Sequence, residues 1–336
     1  MANKNTNLQA AKNTKYDEFY TTYETIEKEI SHYSRCFENK TVLCNCDDPY
    51  ESNFCLYFLK NFNKLKIQRL ICTSYYLSKI IPNSKKGAAF VLDTRKFSDV
   101  EGLIDEEIIK KLLKKPGVIK KLKGDGDFRS EECVKYLYEC DIVVTNPPFS
   151  LFNDFVMLVV NLHKHFLVIG NQNALTYKDI FPLIQKNIVW TGYQFGEMKF
   201  RVPADSEPRK TRFWIDSKGQ KWRSLGNAMW LTNLNVDRHN KLLSVVKKYN
   251  PNDYPKYDLY DAIDVKTIRD IPYDYNGVMG VPITIINWYN SQQFEIIGEA
   301  NHGSDSEFDL FEPTIQGKRK FKRILIKNKR LVNERV

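Results

Sequence analysis

Short apolar runs alternate with helix-like stretches along the first 190 residues of the chain. Runs of three to six mostly apolar residues, typical of buried strands, lie at 41–46, 70–73, 90–92, 141–145 and 166–169. Helical spacing of apolar positions fills 26–37, 53–62 and 151–163. This alternation predicts an α/β fold with a mainly parallel sheet, and in such sheets ligands bind at the carboxyl ends of the strands. We therefore expect the functional residues directly after Cys46, Thr73, Thr145 and Ile169.

The pattern changes after about residue 190, where strand-like runs are separated by polar turns. The runs lie at 189–195, 198–202, 212–215 and 229–233. Residues 250–280 are rich in Tyr, Asp, Pro and Asn and predict an extended loop. We place a boundary after residue 192, between a first domain at 1–192 and a mixed, loop-rich region at 193–336.

The composition is that of a globular protein with a modest positive charge. The 336 residues include 51 Lys and Arg against 41 Asp and Glu, a net charge of +10, and 42% are apolar, which excludes a disordered chain. No apolar run approaches the roughly 18 residues of a membrane-spanning helix, and residues 1–15 are too polar for a signal peptide. A positive charge suits a polyanion without identifying one.

The cysteines predict a reducing compartment. There are seven, an odd number, and several lie in apolar runs, so we expect buried thiols and a cytoplasmic location rather than disulfides. Cys44 and Cys46 form the closest pair, but no second Cys or His pair stands at zinc spacing, and we expect no metal site.

The segment 317–336 is strongly basic, with nine basic residues and one acid. It is either a solvated terminus or a packed strand with a basic edge. The apolar side chains of Phe321, Ile324, Leu325 and Ile326 favour the strand.

The most informative motif is Asn146-Pro147-Pro148-Phe149, which follows the apolar run 141–145 and precedes a helix. Prolines after a strand commonly just end it. In this context, however, the tetrapeptide resembles the Asn-Pro-Pro-Phe/Tyr signature of S-adenosylmethionine-dependent amino methyltransferases. The lone pair of an adenine amine is delocalised into the ring, so the enzyme needs hydrogen-bond acceptors aimed at the amine hydrogens. The Asn146 side-chain oxygen and the Pro147 carbonyl could accept them, while the prolines keep the turn rigid and Phe149 stacks on the base.

Further blocks resemble the EcoRI-type adenine-specific DNA methyltransferase family over nearly the whole chain. In order they are 17–21 (DEFYT), 44–49 (CNCDDP) with 52–54 (SNF), 124–128 (GDGDF), 169–174 (IGNQNA), 230–234 (WLTNL), 277–283 (GVMGVPI) and 293–298 (QFEIIG). The resemblance implies a Rossmann-like class I methyltransferase fold. Residues 1–192 would be the cofactor-binding catalytic core, and 193–336 would hold the last sheet strands and the DNA target-recognition region.

The resemblance also implies a role for each matched residue. The catalytic residues would be Asn146, Pro147, Pro148 and Phe149. The residues binding the cofactor, S-adenosyl-L-methionine, would be Phe19, Tyr20, Thr21, Asp47, Asp48, Asn53, Asp127 and Phe128. The first three would line its methionine end, the two acids after the first strand would meet its ammonium group, and Asp127 would bind its adenine amine. The acidic motifs also fit plainer roles, as turns before Pro49 and at 124–127 or as helix-capping acids at 17–18.

Two features depart from the broader methyltransferase pattern. The turn 47–53 has no glycine, which a pyrophosphate-binding site would need, so its absence disfavours NAD more than S-adenosylmethionine. The second strand, 70–74, lacks the acid that usually binds the ribose hydroxyls. Thr73, Ser74 or a residue elsewhere must replace it.

Residues 195–225 are the best candidate for a DNA-binding surface, because cations there alternate with aromatic residues. The alternative is a twisted hairpin with a charged solvent face. The candidate DNA-binding residues are Lys199, Arg201, Arg209, Lys210, Arg212, Lys221 and Arg223.

The leading hypothesis is a site-specific DNA adenine-N6 methyltransferase, the modification component of a type II restriction–modification system, which flips its target base out of the duplex. Its partner would be double-stranded DNA, with no membrane, metal or obligate protein partner, and we expect a monomer. An RNA-base or protein-glutamine methyltransferase of the same fold remains open, as does a non-catalytic DNA-binding protein.

Overall fold

The chain forms two compact units in the computed structural model, which describes residues 19–75, 88–96, 102–300 and 313–329. The first unit combines the described residues up to Ala174 with Gly192–Leu234. The second combines Leu175–Thr191 with the described residues from Asn235 onward. Asp17 and Glu18, which open the first sequence block, lie outside the described residues.

One large sheet runs through the first unit. Its strands are β1 (Tyr20–Thr21), β2 (Thr41–Cys44), β3 (Arg69–Thr73), β4 (Phe90–Asp93), β5 (Ile119–Lys121), β6 (Ile142–Thr145), β7 (His165–Asn171), β8 (Trp190–Arg201), β9 (Phe213–Ile215) and β10 (Lys221–Thr232). The order across the sheet is β1-β8-β10-β7-β6-β2-β3-β4-β5, and β9 pairs with β10.

The sheet is mixed, which confirms the α/β class and shows that the prediction of a mainly parallel sheet was wrong. β2 runs parallel to β3 and to β6, and β6 runs parallel to β7. In contrast, β10 is antiparallel to β7, β4 to β3 and β5 to β4. The sequence could not show this, because an apolar run has the same pattern in either strand direction.

Helices join the parallel strands, as parallel pairing requires a crossover. The helices up to residue 161 are α1 (Tyr23–Ile30), α2 (Asn53–Lys60), α3 (Glu106–Leu113), α4 (Glu131–Glu139) and α5 (Phe152–Asn161). Shorter 3₁₀ turns span Ser31–Phe37, Thr94–Lys96, Phe149–Leu151 and Gln172–Thr176. The predicted helix 26–37 is therefore split between α1 and the first of these turns. Ser52 and Ser130 cap α2 and α4, because each hydroxyl accepts a backbone N–H of the first turn.

The apolar runs form the core of the first unit. Val42, Leu43 and Cys44 of β2 and Val143 and Val144 of β6 are all fully buried. All seven cysteines are free thiols. Within the described ranges, no cluster of His, Cys, Asp and Glu has the makings of a metal site. No helix of the described chain has the length and apolar character needed to span a membrane.

Two strands differ from the sequence prediction after residue 189. The runs 189–195 and 198–202 are one continuous strand, β8, in which Gly196 has a φ of 101°. β10 begins at Lys221, eight residues before the predicted run at 229. Its first half has only scattered apolar residues and therefore no continuous apolar run.

The second unit contains a four-stranded sheet. Its strands are β11 (Ala262–Asp264), β12 (Val278–Pro282), β13 (Phe294–Ala300) and β16 (Arg323–Asn328), in the order β11-β12-β16-β13, and β14 (Thr314–Ile315) pairs with β15 (Lys318–Arg319). Short helices α6 (Phe181–Gln185) and α7 (Asp237–Asn240) and 3₁₀ turns at Ile268–Asp270 and Ile283–Trp288 complete it. The predicted loop 250–280 thus contains β11 and the start of β12.

The basic C-terminal segment is a packed strand where the structure describes it. Ile324, Leu325 and Ile326 of β16 are buried, which confirms the strand. Phe321 is 75% exposed and does not pack with them, so its assignment to the strand was wrong.

Candidate active site

A cavity of about 470 Å³ lies beyond the carboxyl ends of β2 and β6 in the first unit. Its wall brings together all the predicted catalytic and cofactor-binding residues except Phe149. These are Phe19, Tyr20, Thr21, Asp47, Asp48, Asn53, Asp127, Phe128, Asn146, Pro147 and Pro148. The cavity is of the size that holds a drug-sized ligand.

Asn146 uses one half of its side-chain amide and leaves the other half free. Its Nδ2 donates a hydrogen bond to the backbone oxygen of Phe19 at 2.5 Å, which fixes the orientation of the amide. Its Oδ1 is buried and has no hydrogen-bond partner among the described residues. The amide therefore presents a hydrogen-bond acceptor at the cavity wall. Pro147 is buried beside it, and Pro148 starts the 3₁₀ turn Phe149–Leu151.

The ring of Phe149 is half-buried and lies outside the hydrophobic core. One face stacks on the ring of Phe19, with centroids 5.2 Å apart and planes 23° apart. Phe200 meets both rings edge-on, at 6.4 Å from Phe149 and 5.5 Å from Phe19. The guanidinium of Arg223 lies 5.0 Å from the centroid of Phe19. These contacts make an aromatic cluster next to Asn146.

Asp47 braces the end of β2. Its two carboxylate oxygens accept hydrogen bonds from the hydroxyls of Ser52 and Thr145, each at 2.6 Å. Burial raises the pKa of Asp47 to about 6, against the effect of those two hydrogen bonds. Asp48 accepts from the backbone N–H of Tyr50 at 2.8 Å and from the hydroxyl of Ser74, and burial also raises its pKa.

The GDGDF block forms a different part of the wall. Gly126 has a φ of 80°, and a Cβ there would lie 2.0 Å from the backbone oxygen of Ser74, so only glycine fits. Asp127 forms a bidentate ion pair with Arg129, with Nη2 to Oδ2 at 2.6 Å and Nε to Oδ1 at 2.9 Å, and this pair lowers the pKa of Asp127. Phe128 is buried and packs edge-on against Phe155 at 5.0 Å.

Asn53 supports the wall indirectly, because its Nδ2 donates to the backbone oxygen of Thr21 at 2.7 Å and ties α2 to β1. Thr21 is 4% exposed, and its hydroxyl has no hydrogen-bond partner in the described structure.

Among the wall residues that the sequence analysis did not predict as site residues, Asn45 and Glu51 have buried polar atoms without a hydrogen-bond partner in the described structure. Asn45 is 1% exposed, and neither its Nδ2 nor its Oδ1 has a hydrogen-bond partner within the described residues. Oε2 of Glu51 is likewise buried and unpartnered there. Unsatisfied buried polar atoms are costly, so their concentration on one wall indicates a polar ligand. A signal for Asn45 was present, because it is an amide inside the apolar run 41–46; Glu51 has no comparable signal.

Comparisons with known proteins show which family the chain belongs to. A family model described as "Adenine-specific methyltransferase EcoRI" matches residues 7–329. The chain belongs to this family. The methyltransferase is 45% identical to the Type II methyltransferase M.EcoRI of Escherichia coli, over 98% of this chain and 99% of the relative. No solved structure matches it.

Two relatives from mycoplasmas also cover almost the full length of the methyltransferase. Type II methyltransferase M.MgeORF184P of Mycoplasma genitalium is 34% identical, and Type II methyltransferase M.MpnI of Mycoplasma pneumoniae is 33% identical. Each alignment covers 96% of this chain and 98% of the relative. The protein is therefore an adenine-specific methyltransferase, and its activity requires a methyl donor.

The candidate DNA-binding cations of the methyltransferase fall into two groups. Arg201 lies over the ring of Tyr20 at 5.5 Å, Arg223 over Phe19, and Lys221 donates to the backbone oxygen of Ser206 at 2.7 Å. The guanidinium of Arg212 folds onto β10, where a Cβ at Gly226 would lie 2.2 Å from its Nη1. Lys199, Arg209 and Lys210 are exposed and form the second group; Arg212 is also exposed, although its guanidinium contacts β10.

Proposed function

We propose that this methyltransferase transfers a methyl group from S-adenosyl-L-methionine to the N6 atom of an adenine flipped out of duplex DNA, as the modification enzyme of a type II restriction–modification system. The Asn146 amide carries the proposal. Its Nδ2 donates to the Phe19 backbone oxygen, and its buried Oδ1, at the wall of the cavity, is available to accept a hydrogen bond from a ligand.

An adenine amine is the donor that this arrangement suits. The Oδ1 of Asn146 and the carbonyl of Pro147 accept its two hydrogens, which raises electron density on the nitrogen as positive charge develops there. Both acceptors stand on a proline-stiffened turn after β6, so they need no reorganisation during the reaction. The aromatic cluster beside them supplies a stacking surface for the extruded base, with Phe149 as the base-facing ring.

The polar wall of the cavity suits S-adenosylmethionine. The molecule carries an amino acid, a ribose diol and an adenine, and the wall offers unpartnered polar atoms from Thr21, Asn45 and Glu51. Asp127 would accept a hydrogen bond from the cofactor's adenine amine while its carboxylate stays paired with Arg129. The sulfonium supplies an activated methyl group when the cofactor is bound, so the protein's task is to orient the two reactants.

The strand order also supports a Rossmann-like class I methyltransferase fold. β2 lies at the switch point, with β3 on one side and β6 on the other, and the cavity opens at that point. The exposed cations Lys199, Arg209 and Lys210 would hold DNA phosphates. Arg201 and Arg223 instead contact the rings of Tyr20 and Phe19 beside the cavity.

The proposal is tested by transfer of tritium from labelled S-adenosylmethionine to genomic duplex DNA, with RNA and protein as competing acceptors. We expect DNA to accept the label and Asn146→Ala to lose at least about 100-fold in rate. Binding of S-adenosylhomocysteine by that variant should change little. The exposed Asn252→Ala is the matched control and should keep full activity. Efficient DNA methylation by Asn146→Ala would contradict the proposed role.

A further inference from the structure

Five carboxylates line the cavity, and four of them already have an interaction or face solvent. Both oxygens of Asp47 accept hydroxyl hydrogen bonds, and Asp48 accepts from Tyr50 N and the Ser74 hydroxyl. Asp127 is paired with Arg129, and Asp154 is exposed. The remaining carboxylate is Glu51.

Glu51 has one buried carboxylate oxygen without a hydrogen-bond partner among the described residues. Its Oε2 has no hydrogen-bond partner in the described structure, although the residue is only half-buried as a whole. Arg201 is the opposite charge that acts on it, but its guanidinium lies over the ring of Tyr20, and no ion pair within 4 Å joins these two described residues. A buried carboxylate oxygen in this state needs a cation or a proton.

The position of Glu51 places it at one end of the cavity. It stands in the turn before α2, two residues from Asn53, whose side chain holds the backbone of Thr21 on β1. Arg201 faces Tyr20 across the β1–β8 pair. Glu51 therefore lies beside the Phe19–Thr21 segment. Gly126, next to Asp127, instead approaches the backbone oxygen of Ser74 at the end of β3, on the other side of β2.

We propose that Glu51 binds the α-ammonium group of the methyl donor's amino-acid end. This rests on the proposed function, and it gives Glu51 the role that the sequence assigned to Asp47 and Asp48. Those two acids instead shape the turn, because their oxygens already accept hydrogen bonds from protein groups.

The surroundings of Glu51 shift the pKa of its carboxyl group. Burial and the neighbouring charge of Asp48 raise the pKa of Glu51 to about 7, and Arg201 acts in the opposite direction. A bound ammonium group favours the ionised carboxylate and lowers this pKa. Binding near pH 7 therefore releases a proton from Glu51, and affinity rises as the pH increases from about 6.5 to about 8. Asp47 lines the same cavity and has a pKa of about 6, so it could also contribute to the pH dependence of binding. A Glu51 variant separates the contribution of Glu51 from that of Asp47.

The test is calorimetric titration of the full chain with S-adenosylhomocysteine and with 5′-methylthioadenosine, which lacks the amino-acid end. Each titration is run in two buffers of different ionisation enthalpy, so that proton release is measured directly. The variants are Glu51→Gln and, as a matched control, Glu27→Gln, which is exposed on α1. Thermal unfolding of each variant establishes that it is folded.

We expect Glu51→Gln to bind S-adenosylhomocysteine about 10- to 100-fold more weakly and to lose the proton release. Its affinity for 5′-methylthioadenosine should stay within about twofold of the unaltered protein's. Unchanged affinity for S-adenosylhomocysteine, or an equal loss for both nucleosides, would overturn the proposal while leaving the proposed function intact. If the unaltered protein binds neither nucleoside, the cofactor assignment itself fails, and this proposal with it.

Discussion

At the scale of single residues, the site is recognisable by buried polar atoms that have no hydrogen-bond partner in the described structure. Asn146 and Asn45 are both amides at the carboxyl end of a buried strand, yet only Asn146 stands in a motif with known chemistry. The motif predicted Asn146 because Pro147 and Pro148 make a local signature. Glu51 has no such signature, because its state depends on Asp48 and Arg201, and Arg201 lies 150 residues away along the chain.

Asn45 allows a prediction in which stability and binding move in opposite directions. In Asn45→Val, two unpartnered buried polar atoms are removed and most of the side-chain volume is kept. We expect the free energy of unfolding without ligand to rise by about 1–3 kcal/mol. Affinity for S-adenosylhomocysteine should fall, because the ligand can no longer form hydrogen bonds with the amide. Urea unfolding with and without the ligand measures both effects, and a strongly destabilised apo variant would show that the amide is satisfied in the free protein.

At the scale of elements, α1 holds β8 through one buried carboxylate. Glu29 is fully buried and accepts hydrogen bonds from the Tyr33 hydroxyl at 2.8 Å, the Tyr193 N–H at 2.7 Å and the Gln194 N–H at 2.8 Å. Two successive N–H groups of β8 thus point at one side chain, and a Cβ at Gly192 would lie 2.2 Å from Glu29 Oε1. Burial raises the pKa of Glu29 despite these donors.

Removing this carboxylate should destabilise the protein strongly. Glu29→Ala leaves two backbone N–H groups and a tyrosine hydroxyl without their acceptor, and we expect the free energy of unfolding to fall by about 3–5 kcal/mol. Glu27→Ala, on the exposed side of the same helix, should change it by less than about 0.5 kcal/mol. Guanidinium unfolding followed by circular dichroism compares them, and similar losses in both variants would rule out the bracing role.

The central strands that the sequence predicted share one property, a continuous apolar run. β2, β3, β6 and β7 were predicted because both of their faces are buried. The first half of β10, residues 221–227, was missed because its apolar residues, Trp222 and Leu225, form no continuous run. Glu29 was likewise read only as part of a helix, since its partners Tyr193 and Gln194 are more than 160 residues away.

The exposed cations of β8 and the following loop give a prediction about DNA. Alanine at Lys199, Arg209 or Lys210 should weaken binding of duplex DNA about equally for all sequences. The slope of log affinity against log salt should become shallower by about 0.9 for each phosphate that the variant no longer neutralises. Lys110→Ala, an exposed lysine on α3, is the matched control and should leave the slope unchanged. Fluorescence anisotropy over a salt series measures this, and unchanged slopes in all three variants would remove these residues from the interface.

At the scale of the whole molecule, the cavity and the Asp264 network belong to different units. The cavity is lined entirely by residues of the first unit. The second unit has a separate buried network, in which Asp264 accepts hydrogen bonds from the Tyr257 hydroxyl at 2.6 Å and from Arg323 Nε at 2.9 Å. Asp264 is 2% exposed, and its ion pair with Arg323 joins β11 to β16.

Breaking that network should therefore affect the second unit and spare the cavity. Asp264→Ala leaves the Arg323 guanidinium, whose side chain is only 12% exposed, without its counter-ion, a change that typically costs about 3–5 kcal/mol. We expect hydrogen exchange to become faster in β11, β12 and β16, while exchange in β2 and β6 stays slow. Affinity for S-adenosylhomocysteine should remain within about twofold, because no residue of the network lines the cavity. If cofactor affinity instead falls together with the protection of β16, the two units unfold cooperatively, and the second unit then contributes to the stability of the first.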